Sequence, residues 1–135
     1  MTAPDRLDAS AVIPVASLRA ALRSFVADSD RMARAGGLTP QRYLLLLMIK
    51  GAPDGSERAT VSELAERLRL AQHTVTGLVQ RAERLGLVER EPSASDARVT
   101  HLRLATEGER RLALAFAKNE STRARLRSAI GDLGD

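Results

Sequence analysis

The sequence contains no cysteine. That excludes disulfides, thiolate metal ligands and thiol-based redox sensing, and it suits a chain that works in a reducing cytoplasm. Two histidines, with carboxylates scattered at helical solvent positions, give no set of zinc ligands. We therefore expect no metal and no cofactor. Aromatic residues make up only 2% of the 135 residues, and there is no tryptophan. The core must then be built from Leu, Val, Ala and Ile, which favours helices, because Leu and Ala lose little on entering one. Unbroken apolar runs are short. The longest, Tyr43 to Ile49, falls well below the roughly 18 residues that span a bilayer and is followed by Lys50. No leader-like segment opens the chain, and a cytoplasmic protein is expected.

What is present is ordinary in amount but not in arrangement. An apolar fraction of 44% and a charged fraction of 28% describe one globular domain able to bury a core without staples. The net charge of +4 and pI near 10.6 are compatible with a polyanionic partner without requiring one.

Residues 1–13 lack sustained periodicity and read as a loose tail. Pro14 suits the first turn of a helix running to Gly36-Gly37 (14–36), with Val15, Leu18, Leu22, Phe25 and Met32 at helical spacing. Thr39-Pro40 caps and opens a second helix, which should lie centrally because Tyr43 to Ile49 is apolar almost all round. Residues 52–58 read as a turn-rich loop. Thr60 and Glu63 form an S/T-x-x-E capping box. After a break at Arg69-Leu70-Ala71, another helix runs from about Gln72 to Leu85, burying Val75, Leu78, Val79 and Ala82, with Gly86 as its left-handed stop. Leu87 to Glu91 and Val99 to Leu104 alternate as the strands of a hairpin around Pro92–Asp96. Thr106 and Glu109 suggest a second capping box, opening one final helix to about Ile130.

The stretch from Ala59 to Thr106 organises the rest. Two short helices joined by about three residues match a helix-turn-helix, whose second helix lies in a DNA major groove. Its outward residues are small and uncharged where a plain surface would carry Lys and Glu. Gln72, His73, Thr76, Gly77 and Gln80 would face bases, while Thr60, Ser62, Thr74, Arg81 and Arg84 would meet the phosphate backbone. Gly77 costs about 1 kcal/mol relative to Ala in a helix interior, so it requires a reason. At the hairpin tip, Arg98 suits the narrow minor groove, and Asp96 can orient it through a charge-assisted hydrogen bond. A catalytic triad of Ser62, His73 and Asp96 can be named, but nothing places the three together, so no enzyme is expected. The rival reading is a winged-helix protein-protein interaction module without DNA binding.

These residues resemble the MarR family of winged-helix transcriptional regulators. The resemblance rests on Leu38-Thr39-Pro40, on Val61 to Leu68, on Thr74 to Val79, on Leu85 to Arg90, and on Ser95 to Arg98 leading to Leu104 to Gly108. It implies a mainly α fold with a small β-hairpin wing: a winged helix-turn-helix domain (37–106) flanked by long N- and C-terminal dimerisation helices, the latter at 107–135. It also implies a homodimer, usually a repressor, on a pseudopalindromic operator of double-stranded DNA. The long helices give the dimer a physical argument, because Leu22, Phe25, Met32, Leu112, Phe116, Leu126 and Ile130 on them extend beyond the domain they flank. A small-molecule effector of unknown identity would sit near Tyr43, Leu47 and the first helix. Three departures stand out. Ala71 occupies a helix start where relatives carry Ser or Asp, Gly77 replaces a common basic residue, and little chain follows the last helix.

Overall fold

The computed structural model describes residues 5–133. In chain order it forms α1 (Ala9–Ala35), α2 (Pro40–Lys50), α3 (Val61–Leu68), α4 (Gln72–Arg84), β1 (Val88–Pro92), β2 (Thr100–Leu104), α5 (Thr106–Ala117) and α6 (Glu120–Leu133). The strands pair antiparallel, from Val88 opposite Leu104 to Pro92 opposite Thr100. This is the mainly α architecture with a hairpin wing expected from the sequence.

The core lies between α2, α3, α4 and the base of the hairpin. Leu45, Leu46 and Ile49 of α2 are fully buried, as are Leu64, Val75, Val79, Leu87 and Leu102 around them. Each such side chain contributes about 1.5–3 kcal/mol by leaving water. Thr39 accepts from the backbone N–H of Arg42 at 3.2 Å, with Pro40 opening α2 as anticipated. Both halves of the Thr60–Glu63 capping box are present. Arg67 closes the other end of α2 by donating to the carbonyls of Met48 and Gly51. One contact had no local signal: Ala59 exchanges two backbone hydrogen bonds with Leu102, pinning the entry of α3 to the wing.

Several expectations are corrected. The helix expected at 14–36 begins at Ala9, because the Asp8 carboxylate accepts from the N–H of Ser10 and starts the helix before Pro14. The expected tail 1–13 therefore shrinks, and its residues 1–4 lie outside the described residues. The second capping box does not form. Thr106 is already helical, Ala105 precedes it without a side-chain cap, and Glu109 instead accepts from Lys50 Nζ at 2.9 Å. Ala105 is committed elsewhere, since its N–H donates to the Leu87 carbonyl. The single C-terminal helix is two helices, broken at Lys118-Asn119. Asn119 is buried and donates to Ser29 Oγ at 3.0 Å, while the Phe116 carbonyl accepts from both the Asn119 backbone N–H and Arg123 Nη1. A side chain that bonds out of the helix competes with the helix itself, which is why the chain turns there. The break directs α6 along α1.

α1 also corrects the reading of apolar runs. It holds an 18-residue stretch of mean hydropathy 1.3, long and apolar enough by composition alone to cross a bilayer, none of it buried within the chain. Arg19 and Arg23 interrupt that stretch and hid it from a search for unbroken runs. Each costs about 2.5–3.5 kcal/mol at the centre of a membrane helix, so its exposed face suits a protein partner better than lipid.

Candidate nucleic-acid interface

α4 projects from the core on its apolar face. Val75, Leu78, Val79 and Ala82 are buried, while Gln72, His73, Gln80, Arg81 and Arg84 are exposed and Thr74, Thr76 and Gly77 are half-buried. The turn before it is tight because Arg69 takes a left-handed conformation (φ 57°), and the Leu70 N–H reaches back to the Ala65 carbonyl. A left-handed non-glycine residue costs about 1–2 kcal/mol, so this geometry is held by its surroundings. At the far end Gly86 (φ 71°) and Leu87 close the helix with bonds to Glu83 and Ala82. Ala71 gives α4 no side-chain cap. Instead, Gln72 donates from Nε2 to Ser62 Oγ at 3.1 Å, tying the two helices together at their N-terminal ends. Thr60 already uses its hydroxyl oxygen as a cap acceptor, which leaves only its proton to donate.

The wing tip is ordered by short-range bonds. Ser93 Oγ accepts from the N–H groups of Ser95 and Asp96, and the Asp96 carbonyl accepts from Val99 N–H at 3.0 Å. Asp96 receives three bonds from Arg98: from its backbone N–H at 3.0 Å, from Nε at 3.2 Å and from Nη2 at 3.3 Å. The Arg98 guanidinium, helped by its backbone N–H, holds the Asp96 carboxyl below its ordinary range. The Arg98 side chain is nonetheless 90% exposed. Asp96 thus presents the arginine without burying it.

The cations of this lobe are partitioned. Arg58, Arg90 and Arg103 are paired with Glu91, Glu83 and Glu89 respectively. The Arg90–Glu83 pair, bidentate at 2.9 and 3.0 Å, locks the wing to the end of α4 and removes the acid nearest the reading face. In contrast, Arg69, Arg81 and Arg84 have no carboxylate or hydrogen-bonding partner among the described residues. Arg69 and the Arg90–Glu83 lock were missed in the sequence. Arg69 had only its place in the break as a signal, and the lock joins residues seven apart on different elements. The residues nameable as a triad are separately engaged, Ser62 with Gln72 and Asp96 with Arg98, and neither bonds to His73.

Of the residues assigned to the dimer interface, Leu112 is corrected. At 5% exposure it belongs to the chain's own core and offers a partner nothing. Leu22, Phe116 and Ile130 are 38%, 42% and 53% exposed, with Phe25, Met32 and Leu126 half-buried. The Arg123 guanidinium lies 3.7 Å over the Phe116 ring, so part of that ring is used within the chain. Near Tyr43 and Leu47, Phe25, Val26 and Leu44 help to line a cavity of about 220 Å³.

A capped helix, a tight turn, a reading helix and a pinned hairpin define a winged helix-turn-helix. Residues 36–99 match the model of the MarR family, and it is this lobe of the chain that is similar to it. The chain is 34% identical over 76 residues to the HTH-type transcriptional repressor YetL of Bacillus subtilis (strain 168), a match covering 56% of this chain and 44% of that protein. The matched part thus spans less than half the length of that curated relative. The structure is similar to the transcriptional regulator Tm0710 from Thermotoga maritima, with a TM-score of 0.64 and 28% identity over 87% of this chain and 78% of that one. It shares its fold with apo MarR from E. coli, with a TM-score of 0.66 and 17% identity over 93% and 86% of the two chains.

Proposed function

We propose that the protein is a transcriptional regulator, a repressor, that acts in the cytoplasm as a homodimer on a pseudopalindromic operator in double-stranded DNA. The observation that carries this reading is the partition of charge. Glu83 is held away by Arg90, whereas Arg81 and Arg84 stand unpaired on the helix that carries the hydrogen-bonding His73, Thr76 and Gln80. A surface with free cations around hydrogen-bonding groups suits a polyanion with readable edges. His73, Thr76 and Gln80 face bases, Thr74 and Arg84 contact the backbone, and Arg98 enters the minor groove. Ser62 and Gln72 act as a pair, each limiting where the other can reach. Two copies related by a two-fold axis would set their reading helices about 34 Å apart. The cavity near Tyr43 is smaller than the roughly 300–1,000 Å³ of most ligand sites, and no effector is part of the proposal.

Selection of bound sites from random duplex DNA, repeated at two salt concentrations, tests this reading. An inverted repeat should be enriched, with affinity falling linearly in log salt. No enrichment at either salt would favour the protein-binding module. Within the same assay, Arg98→Ala should weaken operator binding at least about tenfold, as expected for a charge in the minor groove, while its melting temperature stays at the wild-type value. Equal binding by that variant would remove the wing from the interface.

A further inference from the structure

α4 carries its glycine on the outward face. Gly77 and Arg81 are four residues apart and so share one side of the helix. Helical side chains lean toward the N-terminus, and Arg81 leans onto Gly77. A Cβ placed on Gly77 would stand 3.6 Å from Arg81 Nη1 and 3.9 Å from Nη2, with nothing else within 4 Å. The guanidinium thus lies in ordinary contact with the place of a Cβ at position 77, and a longer side chain there would compete with it for space. No carboxylate competes for it, in contrast to Arg90 and Arg98, which are bound to Glu83 and Asp96.

We propose that Arg81 reads a guanine in each half-site and that a small residue at position 77 leaves its guanidinium free to enter the major groove. This inference rests on the DNA-binding reading above. It moves Arg81 from the backbone contacts, where the sequence put it, to the base contacts. The chemistry is that of a planar fork: two parallel N–H groups can donate together to O6 and N7 of guanine, whereas a lysine ammonium, a single point charge, cannot reproduce the pair. Arg81 also continues the i, i+4 line of His73 and Gly77, the side of α4 assigned to bases. Arg84 on the same helix has no glycine four residues before it.

The test is selection from random duplex DNA with the full chain and four variants. Wild type should enrich an inverted repeat with a G·C pair at one position per half-site. Arg81→Ala and Arg81→Lys should both flatten that position, lowering the preference on the order of ten- to a hundredfold, with other positions retained. Gly77→Leu should flatten the same position with Arg81 intact, because its side chain displaces the guanidinium. Gly77→Ala, whose Cβ makes only ordinary contact, should preserve it. A repeat left unchanged at every position by Arg81→Ala and Gly77→Leu, with affinity lowered uniformly, would make Arg81 a phosphate contact and overturn this inference while the DNA-binding reading stood. A wild-type chain that enriched no repeat would overturn both.

Discussion

The winged-helix lobe and the α1–α6 layer are built on opposite plans. In the lobe, large apolar side chains point inward, and Leu45, Leu46, Ile49, Leu64 and Leu87 are fully buried. In the layer, the buried residues of α1 are Ser29 and Ala33, and the one of α6 is Thr122. Its inner seam is polar. Asp28 accepts from Thr122 and pairs with Arg31 and Arg125, while Asn119 bonds Ser29 and leaves its own Oδ1 buried without a partner among the described residues. Meanwhile Ile13, Val15, Val26 and Ile130 are each more than half exposed. The lobe is complete in one chain. The layer holds α6 in place by hydrogen bonds and keeps its apolar surface outward, an arrangement that favours a second copy as the missing half.

The largest expected effect breaks the complete half. A Cβ added at Gly108 would clash with the Leu87 carbonyl oxygen, which already accepts from Ala105, and crowd the carbonyl carbon behind it. Both obstacles are backbone, so no rotamer change relieves them, and α5 would have to move off the hairpin. Gly108→Ala should destabilise by more than about 3 kcal/mol, at the upper end for single substitutions, as measured by the urea midpoint. A loss under about 1 kcal/mol would show that this junction yields.

A smaller effect should separate the two regions. Val26 is 55% exposed and, with Leu22, lines a shallow depression on α1. In the proposed homodimer, Val26→Glu would put a charge twice into a two-fold interface, and burying a charge is costly. The dimer dissociation constant should rise on the order of a hundredfold, read by sedimentation, while the lobe's circular dichroism stays unchanged. An unchanged association state would place the interface elsewhere.

The comparison also explains what the sequence disclosed. Signals contained within about four residues were legible: Thr39-Pro40, Thr60 with Glu63, Gly86, and Asp96 with Arg98 each act on their own backbone. The same local signal failed at Thr106 with Glu109, because Leu87 and Lys50, both distant in sequence, had already claimed Ala105 and Glu109. The break at Asn119 was hidden for a similar reason. Its cause is Ser29, 90 residues earlier. Leu112 and Phe116 carry the same helical periodicity, and only the fold decides that one is core and the other surface. At the interface, the outward face of α4 followed from its period. The Arg90–Glu83 lock and the seat of Arg81 on Gly77 required the side chains in place.

The smallest expected effect sharpens the comparison from within the lobe. Its helices α2 and α3 start with side-chain caps, whereas α4, the one proposed to read DNA, starts at Ala71 with none. Ala71 already has the extended backbone of a cap residue (φ −66°, ψ 148°), so a serine there needs no rearrangement to accept from His73 or Thr74 N–H. Ala71→Ser should therefore stabilise by about 1 kcal/mol, a rise of roughly 3–5 °C in melting temperature for a domain of this size. If the Ser62–Gln72 bond merely substitutes for the missing cap, Gln72→Ala should cost stability in the wild type and much less in the Ala71→Ser background. If the bond instead aims Gln72 into the groove, the double variant should keep its stability and still lose operator affinity. A double-mutant cycle read by melting and by DNA binding separates these two roles.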